Sequence, residues 1–468
     1  MQFKHAPAAV SAVFDDPNLV SAAGLVPMLR LAQQAGLAEL APGRLGVPAD
    51  KGANAGAKVS AVVAGMLAGA DSIDDMNLLR HGGMTKLFDR VYAPSTLGSF
   101  LREFRFGHVR QLDAVASRML VNLGSRAPLL EHHDSERVLV DLDDTIIEVH
   151  GYQKQGAGFG YSGVRGLNAL LAVASTSSSA PVILAQRLRK GQTGSPKGAA
   201  RIVGDALATL RRMNTAKGSP RVLVRADSAF YGHATVGTAL RSGADVSVTV
   251  RMDPAVKAAI TTIRDDAWTT IAYTDAIRDE TTGGWISKAE VAEVAFTAFR
   301  SRKKAERVPG RLVVRRIPDL NPQQTEQPTP FDTFRHHARF TTSRMDEFDT
   351  VAADKTHRRH AIIEQVHSDL KNGPLAHLPS GVFAANSAWL VLAVIAFNLT
   401  RTAGVLADHG GRLAKATTAT IRRTLIAVPA RLARSARRLR LHLPVAWPWE
   451  NAFTLLFTIA HAPPAATN

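Results

Sequence analysis

The stretch from Val138 to Val149 constrains the fold more than any other part of the chain, because it is almost continuously apolar with three acids in its middle. It is rich in β-branched residues and contains neither Gly nor Pro, which favours a buried central strand. Alternate residues of a strand share a face, so Asp141 and Asp143 point to one side and Asp144 to the other. Carboxylates inside a sheet are costly unless they are paired, and a divalent cation is a common remedy. Pairing with arginine, or capping of the strand end, is the alternative interpretation of these acids.

The chain has 468 residues, more than one ordinary domain needs. Its 57 Lys and Arg residues exceed its 40 Asp and Glu residues, which favours a polyanionic partner, with nucleic acid first and an anionic membrane second. Cysteine is absent, which excludes disulfides, thiolate zinc sites and cysteine nucleophiles. The first residues lack the apolar region of a signal peptide, and the most apolar run, Ala388 to Leu399, is too short to cross a bilayer. We therefore expect a soluble cytoplasmic protein with no membrane partner.

The periodicity of apolar residues divides the chain into regions. Residues 1–130 are predicted to be helical with basic outer faces, which suits either a helix-turn-helix DNA-binding region or a plain bundle. Residues 131–252 predict three antiparallel strands followed by helix, strand, helix and strand. Residues 253–345 predict a strand-rich insertion that is not a continuation of this core and is interrupted by a Pro/Gln-rich linker from 318 to 330. Residues 346–400 return to helices.

Residues 401–468 form a basic region. Between Arg401 and His442 there are ten Lys or Arg residues and one acid, Asp408, a net charge of 10 − 1 = +9. Four apolar residues in this region are spaced as one helical stripe: Val428, Leu432, Ala436 and Leu439. This pattern predicts a basic amphipathic helix suited to a phosphate backbone or to anionic lipid, with a solvated charged face as the alternative.

A helix predicted from Thr356 to Lys371 has an unusual face. Its imidazole, acidic and basic side chains recur at steps of three and four: His357, His360, Glu364, His367 and Lys371. Residues at these steps lie on one side of a helix, and the apolar residues fall on the other. The pattern favours a helix that contributes to an active site, and a solvated face is the alternative.

Three acids are the candidate catalytic and metal-binding residues: Asp143, Asp227 at the end of the fourth strand, and Glu364. If the fourth strand pairs beside the first, the two aspartates come within metal-bridging distance, and a helix laid across the sheet supplies the third acid. Hard cations held by carboxylates activate water and stabilise the leaving oxygen of a phosphodiester. Three basic residues are expected to contact the flanking phosphates: Lys371, Arg225 and Arg165.

Three motifs carry a family resemblance: Asp-Leu-Asp-Asp-Thr at 141–145, Arg-Ala-Asp-Ser-Ala-Phe-Tyr at 225–231, and His-x-x-His-x-x-x-Glu-x-x-x-x-x-x-Lys at 357–371. Together they resemble bacterial insertion-sequence transposases of the DDE class, in the branch with a strand-rich insertion before the catalytic Glu. The acids are separated by 227 − 143 = 84 and 364 − 227 = 137 residues, and the second interval has room for that insertion. The family's helix motif usually begins with Tyr and Arg, where this chain has His357 and His360.

The resemblance implies an α/β fold with an RNase H-like mixed sheet flanked by helices. It implies that Asp143, Asp227 and Glu364 bind two Mg²⁺ ions, with Mn²⁺ as a substitute, and that His360 stands at a phosphate-holding position. The protein would cut double-stranded DNA at terminal inverted repeats and join the freed end to target DNA, as a homodimer associated with the nucleoid. Within the first motif, Asp141 remains the alternative to Asp143.

Three other interpretations stay open. In a haloacid-dehalogenase-like phosphatase, Asp141 would be the nucleophile and Asp143 the general acid/base, although no second acid closely follows Asp227. A DNA-binding transposase relative without catalysis is suggested by the histidines of the helix motif. A zinc site is the third, since histidines 357, 360 and 367 share a helical face with Glu364.

Overall fold

The structure is a computed structural model, which describes residues 4, 9–48, 52–132, 136–213, 220–278, 285–318, 334–436 and 438–463, with backbone only from 272 to 278 and from 285 to 288. The predicted Pro/Gln-rich linker lies outside the described residues from position 319 onward.

The N-terminal region is helical, as its sequence predicts. After a short strand β1 (Leu19–Val20), it contains α1 (Leu25–Gln34), α2 (Leu37–Leu40), α3 (Ala55–Ala68), a 3-10 turn (Asp74–Leu79), α4 (Met84–Leu87), α5 (Pro94–Arg102) and α6 (Phe106–Gly124). Helix α5 begins at Pro94, whose fixed φ suits the first turn and whose missing N–H is not needed there. Its apolar residues Leu97, Phe100 and Leu101 are buried.

The sheet core predicted for residues 131–252 follows, with its strands and helices in the predicted order. Its elements are β2 (Arg137–Glu148), a two-residue strand β3 (Gly158–Phe159), β4 (Arg165–Ser175), β5 (Val182–Lys190), α7 (Ala199–Met213), β6 (Arg221–Ala226), α8 (His233–Arg241) and β7 (Asp245–Thr249). Strands β2, β4 and β5 pair antiparallel, while β6 runs parallel to β2 and β7 runs parallel to β6. The strand order β5-β4-β2-β6-β7 with these directions is the RNase H-like arrangement, and it puts the fourth major strand directly beside the first, as predicted.

The insertion extends the core sheet, and the prediction of a separate unit was wrong. It contains α9 (Pro254–Ile260), β8 (Thr269–Arg278), β9 (Trp285–Ala298), β10 (Val308–Pro318) and β11 (Phe334–Thr341). Strand β11 pairs antiparallel with β7, so that β10, β9 and β8 continue one mixed sheet. The backbone groups on the outer side of β7 are satisfied in this way, which the sequence pattern alone does not show.

The predicted helix from Thr356 to Lys371 is interrupted. The structure has α10 (Thr350–Arg358), a 3-10 turn (Arg359–Ala361) and α11 (Ile362–Lys371). The buried Arg225 side chain donates hydrogen bonds to the carbonyl oxygens of Thr356 and Arg359. Where these carbonyls bond to a side chain, the α-helix gives way to one 3-10 turn.

A long apolar helix, α12 (Phe383–Ala407), crosses the centre of the molecule, and the predicted region boundary at 400 falls inside it. By length and composition it is the one described helix that could cross a membrane, but its whole apolar window is buried inside the protein. Its Asn398 side chain accepts a hydrogen bond from the N–H of Ile183 and donates one to the carbonyl of the same residue. Helix α12 thereby covers the free edge of β5 and joins the helical region to the sheet in one buried core.

The prediction of a basic C-terminal helix around residues 428–440 was wrong. After α13 (Thr418–Ile421) and a π-helical turn (Arg422–Ile426), the chain forms a hairpin of β12 (Ala430–Ser435) and β13 (Arg438–His442), and it ends in α14 (Glu450–His461). Strand β12 pairs with β1. Ala430 and Leu432 are buried while Arg431 between them is exposed, an alternation with the period of a strand. Ala436 turns the hairpin with a positive φ of 51°.

Candidate active site

Asp141 is fully buried and neutralised. Its two carboxylate oxygens accept hydrogen bonds from Nε and Nη2 of Arg225, both at 2.7 Å, and neither side chain has exposed surface. His360 Nδ1 lies 2.9 Å from the same carboxylate. Since Arg225 also binds the carbonyls at the junction of α10 and α11, this group fixes the start of α11 against β2 and β6. We call Asp141, Arg225 and His360 the arginine clamp.

Asp144 is neutralised by a second buried arginine on the opposite face of β2. Its Oδ2 accepts from Nη2 of Arg189 at 2.6 Å and from the Asn168 amide. Arg189 is further held by the carbonyls of Ser195 and Lys197. This network ties β2, β4, β5 and the loop before α7 together, so Asp144 has a structural role.

Asp143 and Asp227 are different, because in the described part of the chain neither forms an ion pair with a lysine or arginine. We call them the acid pair. The Asp143 side chain is 24% exposed, and its Oδ1 accepts the backbone N–H of Asp144. Asp227 directly follows β6, and its Oδ1 accepts the N–H of Ala229. Partial loss of hydration, then the negative charge of Asp143, raises the pKa of Asp227. Two carboxylates in this arrangement are suited to share a positive ion.

Helix α11 lies across the acid pair. His360 and His367 belong to one face of this segment, and Glu364 lies between them at steps of four and three. The His367 ring is buried with Nε2 3.6 Å from Oδ2 of Asp143, and neither ring nitrogen has a hydrogen-bond partner. Glu364 is exposed. Among the described residues, no three His, Asp or Glu side chains form a group that could hold a metal ion, so Glu364 does not join the acid pair in this structure.

Two predicted positions have other surroundings. His357 does not share the face of Glu364: its ring lies between the hydroxyls of Ser247 and Thr249 on β7, at 2.8 and 3.0 Å. Burial, followed by the charge of Arg339, places the pKa of His357 well below its ordinary value. Arg225 was predicted to contact DNA phosphates, but its burial in the arginine clamp leaves it no surface with which to do so.

A cleft of about 360 Å³ lies along the second half of β2, beginning two residues after Asp143 at Thr145. Lys371 lines it beside Glu148 and Tyr161. Burial lowers the pKa of Lys371, and the charge of Glu148 opposes this shift. Partial burial and the charges of Asp144, Asp143 and Asp227 raise the pKa of the Tyr161 phenol, so its ring lies in the field of the site.

The loop that carries Tyr161 is positioned by close backbone packing. A Cβ atom at Gly191 would lie 2.1 Å from the carbonyl oxygen of Gly166 and 2.4 Å from that of Gly158. Only glycine allows β3 and β4 to approach the end of β5 in this way. Arg165 donates to the carbonyl of Gly151, and its guanidinium lies 5.0 Å from the centre of the Tyr152 ring.

Sequence reasoning missed three contributors to the site: Arg189, Asn168 and Tyr161. Arg189 and Asn168 occupy apolar strands, and a polar residue in a buried strand is a signal that it has a partner. Tyr161 lies in a glycine-dense loop and is 82% exposed, and nothing in its local sequence separates it from an ordinary surface residue.

Comparisons with known proteins agree with the motifs. A family model described as transposase DDE domain group 1 matches residues 4–464. No curated protein matches the chain. Solved structures that match include the cryo-EM structure of the piggyBac transposase synaptic complex with hairpin DNA, at 10% identity and a TM-score of 0.36, covering 90% of this chain and 73% of that chain. The family of this chain is therefore identified from the family match alone and not from this structural similarity.

That match spans almost the entire sequence, and proteins of this family generally use divalent metal ions. The chain belongs to the transposase DDE domain group 1 family and is a DNA-cleaving transposase.

Proposed function

We propose that this transposase mobilises an insertion sequence by binding its terminal inverted repeats, cutting the DNA strands there and joining the freed 3′-hydroxyl to target DNA. The observation that carries the proposal is the acid pair: Asp143 on β2 and Asp227 directly after the neighbouring parallel strand β6 act on each other, and no described lysine or arginine forms an ion pair with either. Carboxylates left in mutual repulsion destabilise the fold locally, and a bound divalent cation removes that cost.

The chemistry of the donors fits a hard cation. Asp143 and Asp227 offer carboxylate oxygens, which Mg²⁺ prefers and Mn²⁺ accepts, and we propose that they hold two such ions together with Glu364. Ions bound there supply an activated water and stabilise the leaving oxygen of a phosphodiester. The role of Glu364 is supported by its sequence position between His360 and His367, whose rings contact Asp141 and approach Asp143.

Within the first motif we assign Asp143 as the catalytic acid. Asp141 has both carboxylate oxygens bonded to Arg225 and no exposed surface, so it is a positioning residue that holds α11. The same burial argues against a phosphatase in which Asp141 attacks its substrate, because an attacking carboxylate has to reach the phosphorus atom.

The DNA strand is expected to follow the cleft from the acid pair toward Lys371. Lys371 would contact a phosphate there, and Arg165, at the start of β4 and beside the Tyr152 ring, would contact another. His360 is 16% exposed and already contacts Asp141, so its contact with DNA would be secondary. We further expect two copies to bridge two element ends in the cytoplasm, close to the nucleoid.

The test is cleavage of a supercoiled plasmid carrying the element and its own flanks, with Mg²⁺ or Mn²⁺. Asp143→Asn, Asp227→Asn and Glu364→Gln are each expected to abolish nicking at the element ends while binding to those ends persists. Asp266→Asn, which changes an exposed aspartate paired with Arg264, is the matched control and should cleave normally. Full strand cleavage by Glu364→Gln would refute the role of Glu364, and full cleavage by Asp143→Asn would refute the site.

A further inference from the structure

A second polar cavity lies away from the acid pair, between α6, β5 and α7. It has a volume of about 180 Å³ and is lined by charged and hydroxyl side chains of α6 and α7 and by Gln186 of β5. Strand β5 is the neighbour of β4, which in turn pairs with β2. The cavity therefore lies at the junction of the N-terminal helical region with the catalytic core.

The acids of this cavity already have cationic partners. Asp113 accepts from Nη1 of Arg110 at 2.6 Å and from the Gln186 amide at 2.7 Å. Asp205 accepts from Arg110 at 3.0 Å and from Arg201 at 3.2 Å. Neither carboxylate is left to neutralise a further arginine.

Three arginines have no carboxylate partner among the described residues, and we call them the arginine cluster: Arg118 and Arg212, which line the cavity, and Arg44, whose charge acts on Arg118. Arg212 donates to the hydroxyl of Ser117 at 2.8 Å, and Arg118 makes a 3.3 Å contact with the carbonyl oxygen of Ala114. Burial and the positive charges of Arg44 and Arg212 lower the pKa of Arg118, so the three cations repel one another.

Helix polarity explains only part of this arrangement. Arg212 is in the last turn of α7, where a cation is favoured by the carboxyl end of the helix. Arg118 is in the interior of α6, and Arg44 follows α2, so that helix polarity does not account for their approach to Arg212. Cations brought together from three elements, two of them lining one cavity, form a site that attracts a phosphate.

We propose that the arginine cluster binds the phosphate backbone of duplex DNA, as a contact surface separate from the cleft at the acid pair. This inference rests on the proposed function, which supplies DNA as the partner, and it adds the place where the helical region holds that DNA. Arginine contacts to backbone phosphates are independent of sequence, so they set the position of the duplex and the salt dependence of its binding.

The experiment measures binding of the full chain to a long mixed-sequence DNA duplex over a series of salt concentrations. Each lost phosphate contact lowers the slope of log K against log salt by about 0.9. The Arg118→Gln/Arg212→Gln double variant is expected to lose about 2 from that slope, and the variant with Arg44→Gln added about 3. Arg118→Lys/Arg212→Lys keeps the charges and should keep most of the slope.

The control removes the same net charge elsewhere. Arg264 and Arg344 are exposed and paired with aspartates two residues later, so Arg264→Gln/Arg344→Gln should leave the slope unchanged. A wild-type slope in the Arg118→Gln/Arg212→Gln protein would overturn the inference, as would an equal loss in the control. Thermal melting of each variant checks that it is folded.

Two further outcomes identify what has failed. In the first, inorganic phosphate stabilises the wild type but not the Arg118→Gln/Arg212→Gln variant, and the two proteins have the same slope of log K against log salt for DNA. The arginine cluster then binds a free anion, and the inference about DNA is wrong. In the second, the wild type cleaves element ends, but its slope equals that of the Arg118→Gln/Arg212→Gln variant. The inference then fails and the proposed function stands. If the wild type binds no DNA, both fail.

Discussion

The acids on β2 and at the end of β6 have two different kinds of surroundings. Asp141 and Asp144 are each buried against an arginine at 2.6–2.7 Å, and both arginines use their remaining donors on backbone carbonyls. Asp143 and Asp227 are partly open to solvent and have each other as charged neighbours. The difference teaches that an acid in a strand is structural when the fold supplies its counter-ion. It is a candidate for function when the fold leaves the counter-ion to be bound.

The largest effect on stability is expected at the arginine clamp. Arg225→Met removes the cation of a fully buried pair and leaves the Asp141 charge uncompensated, which typically costs about 3–5 kcal/mol. Denaturant unfolding of the variant against the wild type measures this loss in the free energy of unfolding. Arg264→Met, at an exposed pair, is the control and should change stability by less than about 1 kcal/mol.

The double variant Asp141→Leu/Arg225→Met sharpens the same point. Because it removes both charges, most of the stability lost in Arg225→Met should return. A loss below about 1 kcal/mol in the single variant would show that Asp141 is not neutralised by burial against Arg225, and the comparison would fail.

Asp113 is intermediate between the two kinds of acid, and its effect on stability should depend on pH. It is paired with Arg110, yet burial raises its pKa from 3.8 to about 6. A carboxyl group whose pKa is raised on folding contributes stability that is present below pH 3.8 and is lost as the pH rises through about 6. Across that window the wild type should lose up to about 3 kcal/mol relative to Asp113→Asn.

Unfolding experiments at about pH 4 and about pH 7 measure this difference. Equal pH dependence in both proteins would show that the pairing with Arg110 fully offsets the burial of Asp113. In that case an arginine partner would be enough to classify an acid as structural.

The smallest effect is expected at the acid pair and has the opposite sign. Asp227→Asn removes a charge that repels Asp143 and keeps an oxygen to accept the N–H of Ala229. The unfolding midpoint should stay the same or rise slightly, in the absence of divalent ions. A clear fall, comparable with that of Arg225→Met, would mean that Asp227 has a structural partner after all.

The sequence predicted the core of the fold well, because its strands carry strong local signals. The β2 stretch, the strand ending at Asp227 and the long apolar helix each have a pattern that burial dictates. The hairpin at Ala430–His442 was mistaken for a helix because its short apolar spacing fits both periods. Its pairing with β1, more than 400 residues earlier in the chain, decides the matter.

The site was predicted less completely, since its partners are distant in the sequence. The same-face rule grouped Asp141 with Asp143, and local sequence does not show that Arg225, 84 residues later, takes one and leaves the other. The spacing of the helix motif predicted a shared face for His360 and His367, and in the structure both lie near the strand acids. It did not reveal the 3-10 turn at Arg359–Ala361 or the contact of His357 with Ser247 of β7, because the residues that contact this segment are distant in the sequence.

The most direct test of the account is a measurement of Mn²⁺ binding in the presence of DNA. Binding is detected as the loss of the electron paramagnetic resonance signal of free Mn²⁺. The account predicts that the wild type and Asp266→Asn bind Mn²⁺ alike, and that Asp143→Asn and Asp227→Asn lose this binding while remaining folded. Wild-type Mn²⁺ affinity in Asp143→Asn would contradict it, because the acid pair would then not be the metal site.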